Sequence, residues 1–248
     1  MPTSDLLLSM RNVDLGYLPG QPVLHIDKLY IPKGKMVFVT GPSGAGKSTL
    51  LEYLGLMSDT SLNPKEAEYA LLTGAGERID LQALWSDSDE AISKVRQEHF
   101  SFVFQSTNLM PNFTIGENMC FGLMMDGLSR REAEAQTKGL MVDLDLPESL
   151  FDKRIDEASG GQRQRIAFVR AFSTPFTVLF GDEPTGNLDV TNAKRLMTAL
   201  RSTVRKLNRS AIVVSHDLDL SEAFADLILN IEAGENGGPS TLVTKENW

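Results

Sequence analysis

Three short stretches of the chain are apolar without interruption: Met36–Thr40, residues 178–181 and residues 211–215. A run with no polar alternation is a strand covered on both faces, as at the centre of a doubly wound parallel sheet. Residues 6–15 and 23–31 alternate instead, and Tyr17-Leu18-Pro19-Gly20 lies between them as a turn signal. That pattern predicts two antiparallel strands beside the core. From residue 111 to 172 the period becomes helical. Ser129-Arg130-Arg131-Glu132 reads as a capping box that opens one helix, Pro147 interrupts it, and a second helix is predicted over residues 159–172. Residues 58–99 follow no clear period, and the acidic stretch 86–90 predicts an exposed loop. The expected architecture is α/β, with a helical lobe inserted into a sheet-based core.

Composition narrows the picture. With 248 residues, the chain suits one large domain or a core carrying an insertion. The formal net charge is −9, and no Lys/Arg run exceeds two residues, which argues against nucleic acid as a partner. A single cysteine, Cys120, rules out an intrachain disulfide and fits a reducing compartment. Residues 1–11 do not read as a secretory signal, and no stretch approaches the ~18 apolar residues that a membrane span needs. The expectation is a soluble chain that would need another polypeptide to span a bilayer.

Gly41-Pro42-Ser43-Gly44-Ala45-Gly46-Lys47-Ser48 fits the phosphate-binding loop pattern. It directly follows an apolar strand, and Thr49-Leu50-Leu51-Glu52-Tyr53-Leu54 after it reads as a helix. Glycines allow successive backbone N–H groups to turn toward phosphate oxygens, and the helix N-terminus adds partial positive charge. In this pattern Lys47 reaches the β- and γ-phosphates, and the Ser48 hydroxyl faces Mg²⁺. A second signal is Thr177-Val178-Leu179-Phe180-Gly181-Asp182-Glu183-Pro184, an apolar strand ending in adjacent carboxylates. Asp182 suits support of Mg²⁺ and Glu183 a general base for an attacking water. Side by side they repel unless a cation lies close.

Ala158-Ser159-Gly160-Gly161-Gln162 opens the second predicted helix and resembles the signature motif of ABC ATPases, with Ala158 where the family has Leu. Other family landmarks occur in order: Tyr17 resembles the adenine-stacking aromatic, Gln105 after Phe100–Phe104 the Q-loop glutamine, Asp189 the D-loop aspartate, and His216 the switch histidine. The resemblance covers about residues 5 to 232. It implies an ABC-type P-loop fold with a RecA-like core and antiparallel β subdomain (residues 1–104 and 173–248) and a Q-loop and helical signature subdomain (residues 105–172).

The resemblance further implies ATP hydrolysis with Mg²⁺, the metal on Ser48, Gln105 and Asp182. The nucleotide site would comprise Tyr17, Gly41 through Thr49, Gln105, Ser159, Gly160, Gly161, Gln162 and Asp189, with Glu183, His216 and Lys47 catalytic. Two copies would meet head to tail around two ATP molecules, Ser159 and Gly161 of one copy completing the site of the other. Phe102-Val103-Phe104-Gln105, Asn108-Leu109-Met110-Pro111 and Gly186-Asn187-Leu188-Asp189 look most like the lipoprotein-release, macrolide-exporter and cell-division group. That implies an integral membrane partner with few transmembrane helices and a large extracytoplasmic domain, and a peripheral position on the cytoplasmic face of the inner membrane. The alternative is a non-transport or cell-division-type ABC ATPase acting on a soluble or regulatory partner. Residues 58–90 depart from the group, lacking its Pro-x-Ser-Gly turn and following strand. Phe180-Gly181 also departs from the more usual aliphatic-Ala pair.

Overall fold

The computed structural model describes residues 6–73, 76–234 and 238–246. Five parallel strands form its centre: β3 (Met36–Thr40), β6 (Phe100–Phe104), β7 (Val178–Asp182), β8 (Ser210–Val214) and β9 (Leu227–Glu232), which lie side by side in the order β9-β3-β8-β7-β6. Every residue of β3 and β8 is buried. Their side chains divide by the strand period of two. Met36, Phe38, Ala211 and Val213 enter one core, while Val37, Val39, Ile212 and Val214 enter the core on the opposite face. Both faces are therefore apolar, which is why these runs carry no alternation.

β1 (Leu6–Leu15) and β2 (Leu24–Pro32) pair antiparallel, as the alternation predicts. β4 (Glu68–Leu72) and β5 (Arg78–Asp80) extend that side antiparallel to β1 and to each other. β10 (Ser240–Glu246) runs antiparallel along β9, and its first two residues pair parallel with Leu24 and His25 of β2. The antiparallel layer and the parallel centre are thus one continuous sheet among the described residues.

Helix α1 (Lys47–Leu54) follows β3, α2 (Asp89–His99) precedes β6, α6 (Val190–Leu207) lies between β7 and β8, and α7 (Leu218–Phe224) follows β8. Between β6 and β7 come α3 (Ile115–Met125), α4 (Arg130–Asp143) and α5 (Gly160–Ser173), the helical lobe. Ser129 and Ser159 cap α4 and α5, each in the reciprocal capping box that the sequence predicts. α4 ends at Asp143, before Pro147 is reached. The lobe packs closely: a Cβ added at Gly116 of α3 would lie 2.4 Å from the Phe151 ring.

Two expectations are corrected. Residues 86–90 are exposed, as expected, but they are not a loop throughout. A 3-10 turn, Ala83–Ser86, leads into α2; Ser88 accepts the Ala91 N–H as N-cap, and Asp89 and Glu90 occupy the first turn. Carboxylates there favour the positive helix end, so an acidic cluster that reads as loop is a helix start. Nor does the region from 58 to 90 lack a strand, since β4 and β5 fall within it. Their short lengths hide them from a periodicity reading.

Candidate active site

The parallel strands deliver their chemistry to one edge of the sheet. Phe104 pairs with Asp182, Asp182 with Val214, and Val39 with Val214, so β6, β7, β8 and β3 all end level. The residues just beyond those ends are Gln105, Glu183, His216 and the glycine-rich loop. Ligands gather outside the carboxyl ends of such strands.

In the loop, Gly41, Gly44 and Gly46 have φ of 144°, 78° and 100°. A Cβ at Gly41 would stand 2.6 Å from the Ile231 carbonyl oxygen, so both conformation and space require glycine there. Gly46 is the left-handed N-cap of α1, which leaves the first N–H groups of the helix facing the loop. The Lys47 ammonium donates to the Gly41 and Pro42 carbonyls at 2.9 and 2.8 Å, which folds it back over the loop. Pro42, Ser43, Gly44 and Ser48 are exposed, whereas Ala45 and Thr49 are buried.

Asp182 is half-buried at the end of β7. Burial pushes its carboxyl above the ordinary range; the charges of Glu183 and Glu52 push the same way, and Lys47 opposes them. Glu183 takes a left-handed φ of 45° and donates its N–H to the Val214 carbonyl. That backbone turn, sparsely populated for a non-glycine residue, carries its carboxylate to 3.2 Å from His216 Nδ1. The structure therefore brings Glu183 and His216 together from adjacent strands.

Gln105 is exposed, and its carbonyl accepts from Asn187 Nδ2 at 3.2 Å. A Cβ at Gly186 would lie 3.1 Å from Gln105 Nε2, so that glycine lets the Gln105 amide lie close against the next loop. Asp189 caps α6, and the hydrogen bonds from Asn192 hold its carboxyl below the ordinary range. Tyr17 is 59% exposed, donates its hydroxyl to Glu52 at 2.9 Å and accepts from Thr49 at 3.3 Å. Its ring stands open beside α1.

Ser159 and Gln162 exchange cap hydrogen bonds at the start of α5. An added Cβ at Gly160 would meet nothing within 4 Å, and one at Gly161 only Leu188 at 3.5 Å. The packing of this chain does not explain either glycine. No hydrogen bond among the described residues joins this element to the glycine-rich loop.

The sequence reading missed Glu52, Gln164, Arg170 and Gly186. Gln164 carried a readable signal: it falls four and seven positions before Phe168 and Ala171, on the buried stripe of α5, where a polar residue demands partners.

The family model described as ABC transporter matches residues 24–186. The chain belongs to the ABC transporter family. The lipoprotein-releasing system ATP-binding protein LolD 1 of Rhodospirillum rubrum is 34% identical over 92% of this chain and 96% of its own. The macrolide export ATP-binding/permease protein MacB 2 of Yersinia pestis is 33% identical over 93% of this chain, but over only 32% of that longer protein. A solved dimeric cassette in a post-hydrolysis state, bound to ADP and Pi, superposes with a TM-score of 0.79 at 25% identity, covering 97% of this chain and 98% of the other. This ABC cassette is an ATP-binding, ATP-hydrolysing enzyme with an ABC-type P-loop fold. Among its described residues no helix is long and apolar enough to cross a membrane.

Proposed function

We propose that this cassette closes head to tail with a second copy around two ATP molecules and uses hydrolysis to do work on a membrane partner, in the manner of lipoprotein release or macrolide export. The alignment of four parallel strand ends carries the proposal: it places the Gly41–Ser48 loop, Gln105, Asp182, Glu183 and His216 along a single edge.

Loop N–H groups and Lys47 would hold the phosphates, moving the ammonium from its own loop carbonyls onto phosphate oxygens. Thr49 closes the loop, and the Tyr17 ring offers its open face to the base. Glu183 accepts the proton of the attacking water, and His216, held against it, contacts the γ-phosphate side. Ser48, Gln105 and Asp182 fit Mg²⁺, a hard cation that takes oxygen ligands and shares them with substrate phosphates. The raised carboxyl of Asp182, beside Glu183 and Glu52, supports a cation at this point. When bound, that ion would neutralise charge developing on the phosphates.

Ser159, Gly160, Gly161 and Gln162 would serve the partner copy's nucleotide. Open space around both glycines supports close approach by a phosphate from outside this chain. Asp189 lies on the adjoining loop. Residues 105–172 form the body that moves against residues 1–104 and 173–248. On α3, Phe121, Met124 and Met125 are 44%, 46% and 68% exposed at positions i, i+3 and i+4, an apolar stripe suited to a membrane subunit. We place the cassette at the cytoplasmic face of the inner membrane, beside a subunit with few transmembrane helices and a large extracytoplasmic domain.

Glu183→Gln tests the reading. Losing a general base lowers turnover by roughly 10²–10⁴-fold, and the variant is expected to accumulate as an ATP-bound dimer by light scattering. Turnover equal to wild type would remove Glu183 from that role.

A further inference from the structure

Gln105 leaves the end of β6 on an exposed loop, and its own strand fixes only one side of it. Two further sets of constraints come from α5. Gln164, 2% exposed, donates its amide to the Phe104 carbonyl at 3.3 Å and to the Pro184 carbonyl at 2.6 Å. Arg170, six residues along the same helix, donates one guanidinium nitrogen to the Asn108 carbonyl at 2.8 Å and the other to the Thr107 carbonyl at 3.0 Å. We propose that Gln164 and Arg170 are positioning residues that clamp the backbone on both sides of Gln105, so that the helix opening with Ser159 sets where Gln105 stands.

The chemistry of each residue suits the task. A buried Gln amide has two donors, and here they reach one carbonyl just before Gln105 and another just after Glu183, joining the Gln105 loop to the catalytic turn. Arg170 makes no ion pair among the described residues, and burial holds its guanidinium below the ordinary range. Its fork is committed to two successive carbonyls, a geometry that a planar guanidinium supplies and an ammonium does not. Between the two ties run Gln105 and Ser106 alone, and a span that short has little freedom to wander. Asn108 turns with a φ of 47°, which presents the carbonyls to the helix. Asn187 adds a third hold on the Gln105 carbonyl from the loop beyond Glu183. A displacement of α5 would therefore shift the Gln105 loop and the turn after Glu183 as one piece.

The inference rests on the reading of Gln105 as a ligand in the nucleotide site, so the test has one arm that is independent of it. Hydrogen exchange over residues 104–109 is measured on the full chain without nucleotide, for wild type, Arg170→Lys, Arg170→Gln and Gln164→Met. In a second arm, binding of a fluorescent ATP analogue is titrated with Mg²⁺ and repeated in EDTA. We expect faster exchange in all three variants, least in Arg170→Lys, which keeps a cationic donor group but loses the planar fork. We expect the Mg²⁺ needed for half-maximal binding to rise roughly tenfold, the lower end of what loss of an outer-shell partner costs a metal site, while affinity in EDTA stays within about twofold. Unchanged exchange overturns the clamp; faster exchange with an unchanged Mg²⁺ requirement overturns the positioning role. Should Gln164→Met fail to fold, the two Arg170 variants decide alone. If wild type binds the analogue equally with and without Mg²⁺, the Gln105 ligand reading fails, and the exchange arm still judges the clamp.

Discussion

Three glycines at the candidate site differ in what holds them, and that separates folding from function. Gly41 is confined by a positive φ and by the Ile231 carbonyl oxygen 2.6 Å from where a Cβ would sit. Gly160 sits in the first turn of α5 where an added Cβ would meet nothing within 4 Å, and a Cβ at Gly161 would meet Leu188 alone. Ala in place of Gly inside a helix is favourable by about 1 kcal/mol. Gly160→Ala should therefore leave the monomer as stable as wild type or slightly more so by urea denaturation, yet weaken ATP-dependent dimerisation of the Glu183→Gln background. Gly41→Ala should lower stability and nucleotide binding together. If Gly160→Ala dimerises normally, no partner phosphate approaches that backbone. The Glu183–His216 contact, in contrast, arises from backbone direction: the left-handed turn at Glu183 aims a carboxylate from β7 toward a histidine following β8.

At the scale of elements, α2 shows how local chemistry and periodicity can point in different directions. Its apolar stripe is narrow, with Ile92 and Val95 half-buried against the core and none of its residues fully buried, so periodicity announces it only weakly. The Ser88 cap and the acidic first turn define it instead. Ser88→Ala should cost about 1 kcal/mol of stability, the usual loss for a deleted N-cap, read as a lower midpoint in urea with an unchanged slope. No change would mean that packing of Ile92 and Val95 against the core, rather than the cap, holds the helix. Two of the three lobe helices were legible because Ser129 and Ser159 stand three residues before Glu132 and Gln162; α3 carries the same spacing in Thr114 and Glu117 and was missed. The strands β4 and β5 were not, because five and three residues are too few to establish an alternation.

For the whole molecule, the decisive feature is that one sheet carries both the edge assigned to the nucleotide and the antiparallel layer, with the lobe hung between β6 and β7. The exposed stripe on α3 belongs to that lobe and stands apart from the residues assigned to ATP. Phe121→Ser combined with Met125→Ser should leave hydrolysis by the isolated cassette unchanged and abolish its recovery with an integral membrane protein from native membranes. Equal recovery by wild type and variant would move the docking surface elsewhere; recovery of ribosomes or DNA-repair proteins in place of a membrane protein would favour a soluble partner.

The sequence alone determined four of the five central strands, two of the three capped helices of the lobe, and the motifs assigned to phosphate chemistry, because each is written in neighbouring residues: an unbroken apolar run, a serine three before a glutamate or glutamine, glycines before a lysine. Tertiary structure decided what depends on residues far apart in the chain. The level ending of β6, β7, β8 and β3 puts Gln105, Glu183 and His216 on one edge. The reach of Gln164 and Arg170 to carbonyls some sixty residues away ties a helix to a loop. Sequence specifies which side chains are present; only the register between non-adjacent strands specifies which of them meet.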